Sequence, residues 1–127
     1  MIKAIKIIFT LIALSSCNIC LAANWVEYGY KTYIDLSSWQ KSGNYVSAWV
    51  KRLNTGDWKL VNNQKVWYSI EYIEAACSDR KLSINSVIKY DLKGKVLSND
   101  EFPTSYFQRV VPGSIGEDLY YALCSLK

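Results

Sequence analysis

The N-terminus constrains this chain most, because it has the three-part organisation of an export signal. A short positive start, residues 1–6, precedes an apolar run over residues 7–14. Small residues follow, and Cys20 and Ala22 stand where signal peptidase requires small side chains. The apolar run is shorter than the roughly 20 residues that a membrane span needs. The sequence therefore predicts a signal peptide over residues 1–22, cleaved between Ala22 and Ala23, and one exported domain over residues 23–127.

A second processing site competes with this one. Residues 14–17, Leu-Ser-Ser-Cys, resemble a lipobox, in which Cys17 would become the lipidated N-terminus of an anchored protein. Lipidation at Cys17 would leave Cys20 as an odd thiol in an oxidising compartment, whereas cleavage after Ala22 removes both cysteines together. Ordinary cleavage is therefore the preferred prediction. A lipid anchor at Cys17 is the only membrane attachment that the sequence offers.

Two cysteines, Cys77 and Cys124, remain after cleavage. In an exported chain such a pair most often forms a disulfide. The bond would close a loop between the middle of the domain and its C-terminus, which stabilises a small domain by limiting the unfolded chain. A redox or nucleophilic role is disfavoured, because the exported part has no Cys-x-x-Cys motif and no histidine to activate a thiolate.

Composition argues against most catalytic classes. The chain has no histidine, and its one methionine is Met1. Serine or cysteine catalysis with a histidine base, and zinc or copper sites, therefore lack their usual groups. Removing Lys3 and Lys6 lowers the formal charge from +4 to +2, too little to indicate nucleic-acid binding. We predict a non-enzymatic binding protein without cofactor or metal. A hydrolase using neighbouring carboxylates alone, Asp100 with Glu101 or Glu117 with Asp118, is the weaker alternative.

The exported part reads mainly as β-strands. Residues 45–53 alternate between the two faces of a strand, residues 66–77 form the longest strand candidate, and residues 81–90 alternate again. That last alternation places Leu82, Ile84, Ile88 and Tyr90 together on one face. Gly94 lies in a turn that predicts a β-hairpin to a short strand at residues 96–98.

The period changes near the C-terminus. Ser114 and Glu117 have the spacing of a capping box, in which each side chain accepts a hydrogen bond from the other residue's amide. Apolar residues then recur at helical spacing: Ile115, Leu119, Ala122, Leu123 and Leu126. The predicted fold class is α+β, a mainly antiparallel sheet with this C-terminal helix packed on it and one disulfide.

Aromatic residues provide the candidate binding surface. Tyr45, Trp49 and Lys51 fall on one face of their strand, and Trp67 joins them if the neighbouring strand pairs in a suitable register. Trp and Tyr supply large, rigid contact area in protein interfaces, so such a face could bind a protein or a glycan. Packing of the same residues beneath a loop or a second sheet is the competing interpretation.

The sequence also resembles the surface-adhesin protein E family of exported bacterial proteins. The residues that carry the resemblance span nearly the whole exported part, and they end in a pattern of turn, helix cap and cysteine. They are Trp25, Tyr33-Ile34-Asp35, Gly43-Asn44, Val46, Trp49, Tyr72, Cys77, Arg80, Tyr90-Asp91, Gly94, Phe107, Pro112-Gly113-Ser114-x-Gly116-Glu117, Leu119-Tyr120 and Cys124.

This resemblance implies an antiparallel sheet with a C-terminal helix and a bond between the two cysteines. It also implies a place in the envelope of a Gram-negative bacterium: periplasm, outer-membrane surface or secreted. Members of the family bind host extracellular-matrix and serum proteins, which makes such proteins the expected partners. The alternative is a periplasmic accessory protein without host ligands.

Overall fold

The structure is a computed structural model that describes residues 22–54, 60–103 and 106–126. The predicted signal segment lies outside the described residues apart from Ala22. Cleavage before Ala23 and lipidation of Cys17 therefore stay predictions. Within the described ranges, no helix combines the length and the apolar character that crossing a membrane requires.

One antiparallel sheet of eight strands forms the body of the domain. Six of its strands lie side by side in the order β1-β2-β4-β7-β8-β10, with β3 also paired to β4 and β9 to β8. A separate two-stranded sheet joins β5 and β6. The strands are β1 Trp25–Glu27, β2 Thr32–Asp35, β3 Gln40–Ser42, β4 Tyr45–Leu53, β5 Leu60–Val61, β6 Gln64–Lys65, β7 Tyr68–Ala76, β8 Lys81–Tyr90, β9 Val96–Glu101 and β10 Gln108–Arg109. A single turn of 3-10 helix, Leu36–Ser38, follows β2, and one α-helix, α1, covers Ile115–Ser125.

Helix α1 packs on one face of the sheet and creates the core. The inward residues of β4 alternate strictly, so Val46, Ala48 and Val50 are almost fully buried. They pack with Leu119 and Leu123 of α1 in the main apolar cluster. We call this side of the sheet the helix face and the opposite side the open face. The mainly antiparallel α+β fold with a C-terminal helix is thereby confirmed.

The start of α1 follows the predicted cap in part. Ser114 is the N-cap, and its hydroxyl accepts from the Glu117 amide at 3.2 Å. The Glu117 carboxylate accepts from the Gly113 amide at 3.3 Å, because the Ser114 amide already donates to Val111. Ile115, expected on the apolar stripe, is 63 % exposed, since the first turn of the helix directs Gly116, and not Ile115, toward Leu82 of β8.

The Cys77–Cys124 disulfide is confirmed, and it joins the end of β7 to α1 with Cα atoms 5.8 Å apart. Two hydrogen bonds fix the helix near the same place. Tyr120 donates its hydroxyl proton to the Cys77 carbonyl. Trp39 donates its indole N–H to the Leu123 carbonyl at 3.1 Å. The last turns of α1 are therefore attached both to β7 and to the chain that follows β2.

A β-bulge in β8 corrects one prediction from periodicity. Tyr72 of β7 pairs with Ser86, but the next residue, Ile73, pairs with Ile84, so β8 has one extra residue at Asn85. An inserted residue reverses which face the following side chains occupy. Leu82 and Ile84 therefore point to the helix face, whereas Ile88 and Tyr90 point to the open face. The strict alternation read from the sequence had placed all four together.

The hairpin between β8 and β9 forms as predicted, and β9 is longer than expected. The Asp91 side chain accepts from the amides of Lys93 and Lys95, at 2.9 and 2.8 Å. Gly94 has a φ of +81°, a conformation that costs glycine little. This turn brings β9 back along β8 as far as Glu101.

Candidate functional site

Three of the four predicted surface residues lie together on the open face. Tyr45, Trp49 and Lys51 alternate with the buried residues of β4, so their side chains point away from α1. Tyr45 is 45 % exposed, and the other two side chains are half-buried. Neither helical segment of the described chain lies across this face, because α1 contacts the helix face and Trp39, next to the 3-10 turn, bonds to α1.

Lys51 is held between two aromatic rings from neighbouring strands. Its Nζ lies 4.7 Å from the centre of the Trp25 ring and 5.8 Å from that of Tyr33. The register explains the arrangement, since Tyr33 pairs directly with Lys51 across β2 and β4. Cation–π contacts of this kind limit the motion of a long side chain while leaving its charge able to meet a ligand. Sequence reasoning missed Trp25 and Tyr33, because their proximity depends on strand order.

A second aromatic pair adjoins this cluster. Trp49 pairs across the sheet with Tyr72, and their ring centres are 5.1 Å apart at a 56° tilt. The Tyr72 hydroxyl donates to Ser47 Oγ at 2.9 Å, which fixes the orientation of the ring. Cross-strand aromatic pairs stabilise a sheet and hold both rings in one geometry. Trp49 therefore presents a preformed surface.

Two tyrosines form a flat stack at the far end of β7 and β8. The rings of Tyr68 and Tyr90 lie 4.7 Å apart and only 9° from parallel. Burial raises the pKa of the Tyr68 hydroxyl, and the nearby Tyr90 and Asp91 raise it further. Tyr68 is therefore a neutral hydrogen-bonding group at physiological pH. The stack extends the aromatic surface of the open face across β8.

The other end of the face is partly covered. Phe107 lies against Tyr45 with ring centres 5.7 Å apart. Ala76 and Ser83 lie on the open face near this end, and both are only 2 % exposed. Burial of such small side chains on a face without a helix indicates that the Tyr45 and Phe107 rings shield them. Tyr45 therefore has a partly structural role, because its ring packs against Phe107 while 45 % of the residue stays exposed.

Trp67 does not join the other three residues. It directly precedes Tyr68, which the register places on the open face opposite Leu53. Pairing continues one step further, with the Asn54 amide bonded to the Trp67 carbonyl at 2.8 Å. Because successive residues of an extended chain point to opposite faces, Trp67 points to the other side. It borders a shallow depression beside Lys65 and the β8–β9 turn.

Two carboxylates of the described chain, Asp35 and Glu117, have structural partners. Asp35 is 7 % exposed; burial alone would raise its pKa, but hydrogen bonds from the Ser37 hydroxyl and from the Asn24 and Ser37 amides lower it overall. Glu117 pairs with Arg80 at 3.2 Å. Within the described ranges, no three potential ligands among His, Cys, Asp and Glu come close enough to hold a metal ion.

Comparison with known proteins gives the family and the fold. The sequence profile of surface-adhesin protein E matches residues 24–125, nearly the whole predicted domain. The chain belongs to the surface-adhesin protein E family. That assignment confirms the resemblance seen in the sequence. The family is one of surface proteins, but the profile does not say which residues bind a ligand.

Solved structures of protein E from Haemophilus influenzae share the fold. One crystal form aligns with a TM-score of 0.60 at 13 % identity, covering 82 % of this chain and 89 % of that one. A selenomethionine form aligns with a TM-score of 0.56 at 14 % identity, covering 82 % and 92 %. Comparison with curated protein sequences gives no match. At this low identity, the protein E structures support the fold of this chain alone. Its ligand must be argued from its own surface.

Proposed function

We propose that the exported domain is a non-catalytic binding protein that attaches to an extracellular protein through the open face. The observation that carries this proposal is the preformed aromatic array across β1, β2, β4, β7 and β8. Lys51 lies 4.7 Å from the centre of the Trp25 ring, and the Trp49 and Tyr72 rings are 5.1 Å apart. Interfaces draw most of their energy from such aromatic and cationic residues, provided that they are rigid before binding.

The absence of catalytic groups supports binding over catalysis. The chain contains no histidine, and Glu117 of one candidate carboxylate pair is engaged with Arg80 and the helix cap. Asp100 and Glu101 are successive residues at the end of β9, so their side chains point to opposite faces. General acid–base chemistry by two carboxylates requires both groups beside one substrate. Neither pair has that arrangement.

Family membership supports a location outside the cytoplasm and suggests the partners. We expect processing before Ala23 and delivery to the cell surface, where host extracellular-matrix and serum proteins are accessible. The open face suits such a ligand because its aromatic side chains extend over five neighbouring strands, an arrangement that accepts a folded protein better than it encloses a small molecule. A periplasmic accessory role, without host ligands, is the alternative.

A binding experiment with paired tryptophan variants tests the proposal. Purified mature domain is titrated with vitronectin, laminin, fibronectin and plasminogen, each over a range of salt concentrations that exposes purely ionic adsorption. Trp49→Ala should weaken saturable binding at least about tenfold. Trp67→Ala is the matched control, because it removes the same side chain from the other face and should leave the affinity unchanged.

Stability has to be measured on the same samples. Trp49 is half-buried against Tyr72, and removing it also costs folding free energy. Lys51→Gln provides a variant with little packing cost, and it should still weaken binding if the cluster with Trp25 is used. Equal affinities for wild type, Trp49→Ala and Lys51→Gln would refute the open face as the site. Absence of saturable binding to all four proteins, with the protein shielded from protease on intact cells, would favour the accessory role.

A further inference from the structure

The helix face contains a large groove that the open-face proposal does not use. Its volume is about 810 Å³, and it lies between β8, the chain after β9 and the beginning of α1. Most of its wall is apolar, with Ile73, Leu82, Ile84, Val87, Phe102 and Tyr106 among the lining residues. Pockets for small molecules typically enclose about 300–1,000 Å³ and have walls of this kind.

The groove exists because α1 covers only part of the helix face. Leu119 of α1 forms one wall, and no helix of the described chain lies above the sheet beyond it. Ile84 is 40 % exposed, Phe102 48 % and Tyr106 68 %. A contiguous exposed apolar region of this kind is uncommon on a soluble domain unless it binds something. The bulge at Asn85 contributes, since it lets both Ile84 and Val87 face the groove.

Two arginines, Arg52 and Arg109, are among the described lining residues, and the strand register directs the Arg52 side chain into the groove. Arg52 lies on the helix face of β4 and lines one end of the groove. Its Nε is 2.8 Å from Glu71 Oε2, but the two atoms are not aligned for a hydrogen bond. A guanidinium has five N–H donors, so the contact with Glu71 through Nε leaves its terminal nitrogens able to bind a second carboxylate.

Apart from Glu71, which contacts Arg52 from outside the lining, the polar groups around the groove are uncharged or cationic. Gln108 and Arg109 both line the groove, and the register of β10 directs the Gln108 side chain toward it and the Arg109 side chain to the opposite face of the sheet. Among the described lining residues there is no carboxylate. From Leu82 to Val87 the floor runs for about 16 Å at the usual strand rise. The groove is therefore elongated and apolar, with a hydrogen-bonding cation at one end.

We propose that this groove binds a linear apolar carboxylic acid, a fatty acid of medium chain length. The chain lies along β8 between Ile84 and Phe102, and the carboxylate meets the guanidinium of Arg52. The length of the floor, the apolar walls and the Arg52 guanidinium at one end together favour this class over a neutral or cationic amphiphile. The site lies on the helix face, so its occupancy is independent of protein binding at the open face.

The test compares three probes that share one alkyl chain. Mature protein is titrated calorimetrically with decanoate, decan-1-ol and decyltrimethylammonium, all below micelle-forming concentrations. We expect decanoate to bind at least about tenfold more tightly than the alcohol, because only the acid gains a charge-assisted hydrogen bond. The cation should bind more weakly still.

Variants separate the head-group contact from the apolar walls. The pair Arg52→Gln with Glu71→Gln removes both charges at similar volume, and it should reduce decanoate affinity to that of decanol while leaving decanol unchanged. Tyr106→Glu should weaken both probes, because it brings a charge to an exposed part of the wall. Leu92→Glu is the matched control, since Leu92 is 65 % exposed outside the groove. Decanoate binding no tighter than decanol, or insensitive to Tyr106→Glu, would overturn the proposal.

Discussion

Removing the Cys77–Cys124 bond gives the most direct test of what holds the domain together. The bond closes a loop of 47 residues. In the chain-entropy treatment, opening a loop of this length costs on the order of 4 kcal/mol at 25 °C, because the unfolded chain regains the freedom that the bond removed. Domains of this size unfold with only about 5–15 kcal/mol. Loss of the bond should therefore consume a large fraction of the total stability.

The folded domain should keep its arrangement without the bond. The Tyr120–Cys77 and Trp39–Leu123 hydrogen bonds remain when the disulfide is absent, and they keep α1 on the sheet in the folded state. We expect the pair Cys77→Ala with Cys124→Ala to lose about 2–4 kcal/mol in urea unfolding. The melting temperature should fall by at least about 10 °C.

Reduced wild-type protein is the control for packing. It keeps both sulfur atoms, which pack against the main apolar cluster, but lacks the covalent link. If the link acts on the unfolded chain, reduced wild type and the alanine pair should have nearly the same stability. A loss below about 1 kcal/mol in both samples would refute the reasoning from loop length.

Three further predictions concern single positions. Ser114→Ala should cost about 1 kcal/mol in thermal unfolding by removing the N-cap, and an unchanged melting temperature would show that α1 begins elsewhere. Asp35→Asn should destabilise the domain at pH 7 by about 1–3 kcal/mol. The pKa of Asp35 is lower in the folded state than its unfolded value of about 3.9, so the extra stability of wild type is present above that value and is lost as the pH falls below it. Urea unfolding at pH 7 and at pH 3 should therefore show that the difference in unfolding free energy between wild type and Asp35→Asn is smaller at pH 3. Intact mass of the protein from cell envelopes should correspond to a chain that begins at Ala23, and a lipidated Cys17 would contradict this.

Features determined by near neighbours in the chain were predictable from sequence. The alternation of β4 placed Val46, Ala48 and Val50 on one side, and the structure buries all three. Ser114 lies where the capping pattern placed it, at the N-cap of α1. Cysteine parity identified the disulfide. In each case a local period, or a count of residues, carries the information.

Features determined by strand pairing were not predictable in the same way. Trp25 and Tyr33 surround Lys51 only because β1, β2 and β4 are neighbours in the sheet. The position of Trp67 follows from a register in which Tyr68 pairs with Leu53. If this register shifted by one residue, Trp67 would point to the open face and Tyr68 would point away from it. No local pattern near Trp67 distinguishes the two registers.

The extra residue at Asn85 determines which changes of length β8 can accept. Deleting Asn85 would close the bulge and leave a regular ladder, because Ile73 would still pair with Ile84 and Tyr72 with Ser86. Val87 would stay on the helix face, and Tyr90 would keep its stack with Tyr68. A deletion elsewhere in β8 would instead exchange the faces of the residues on one side of it. Relatives whose β8 is one residue shorter at this point should therefore keep both surfaces on a less twisted strand.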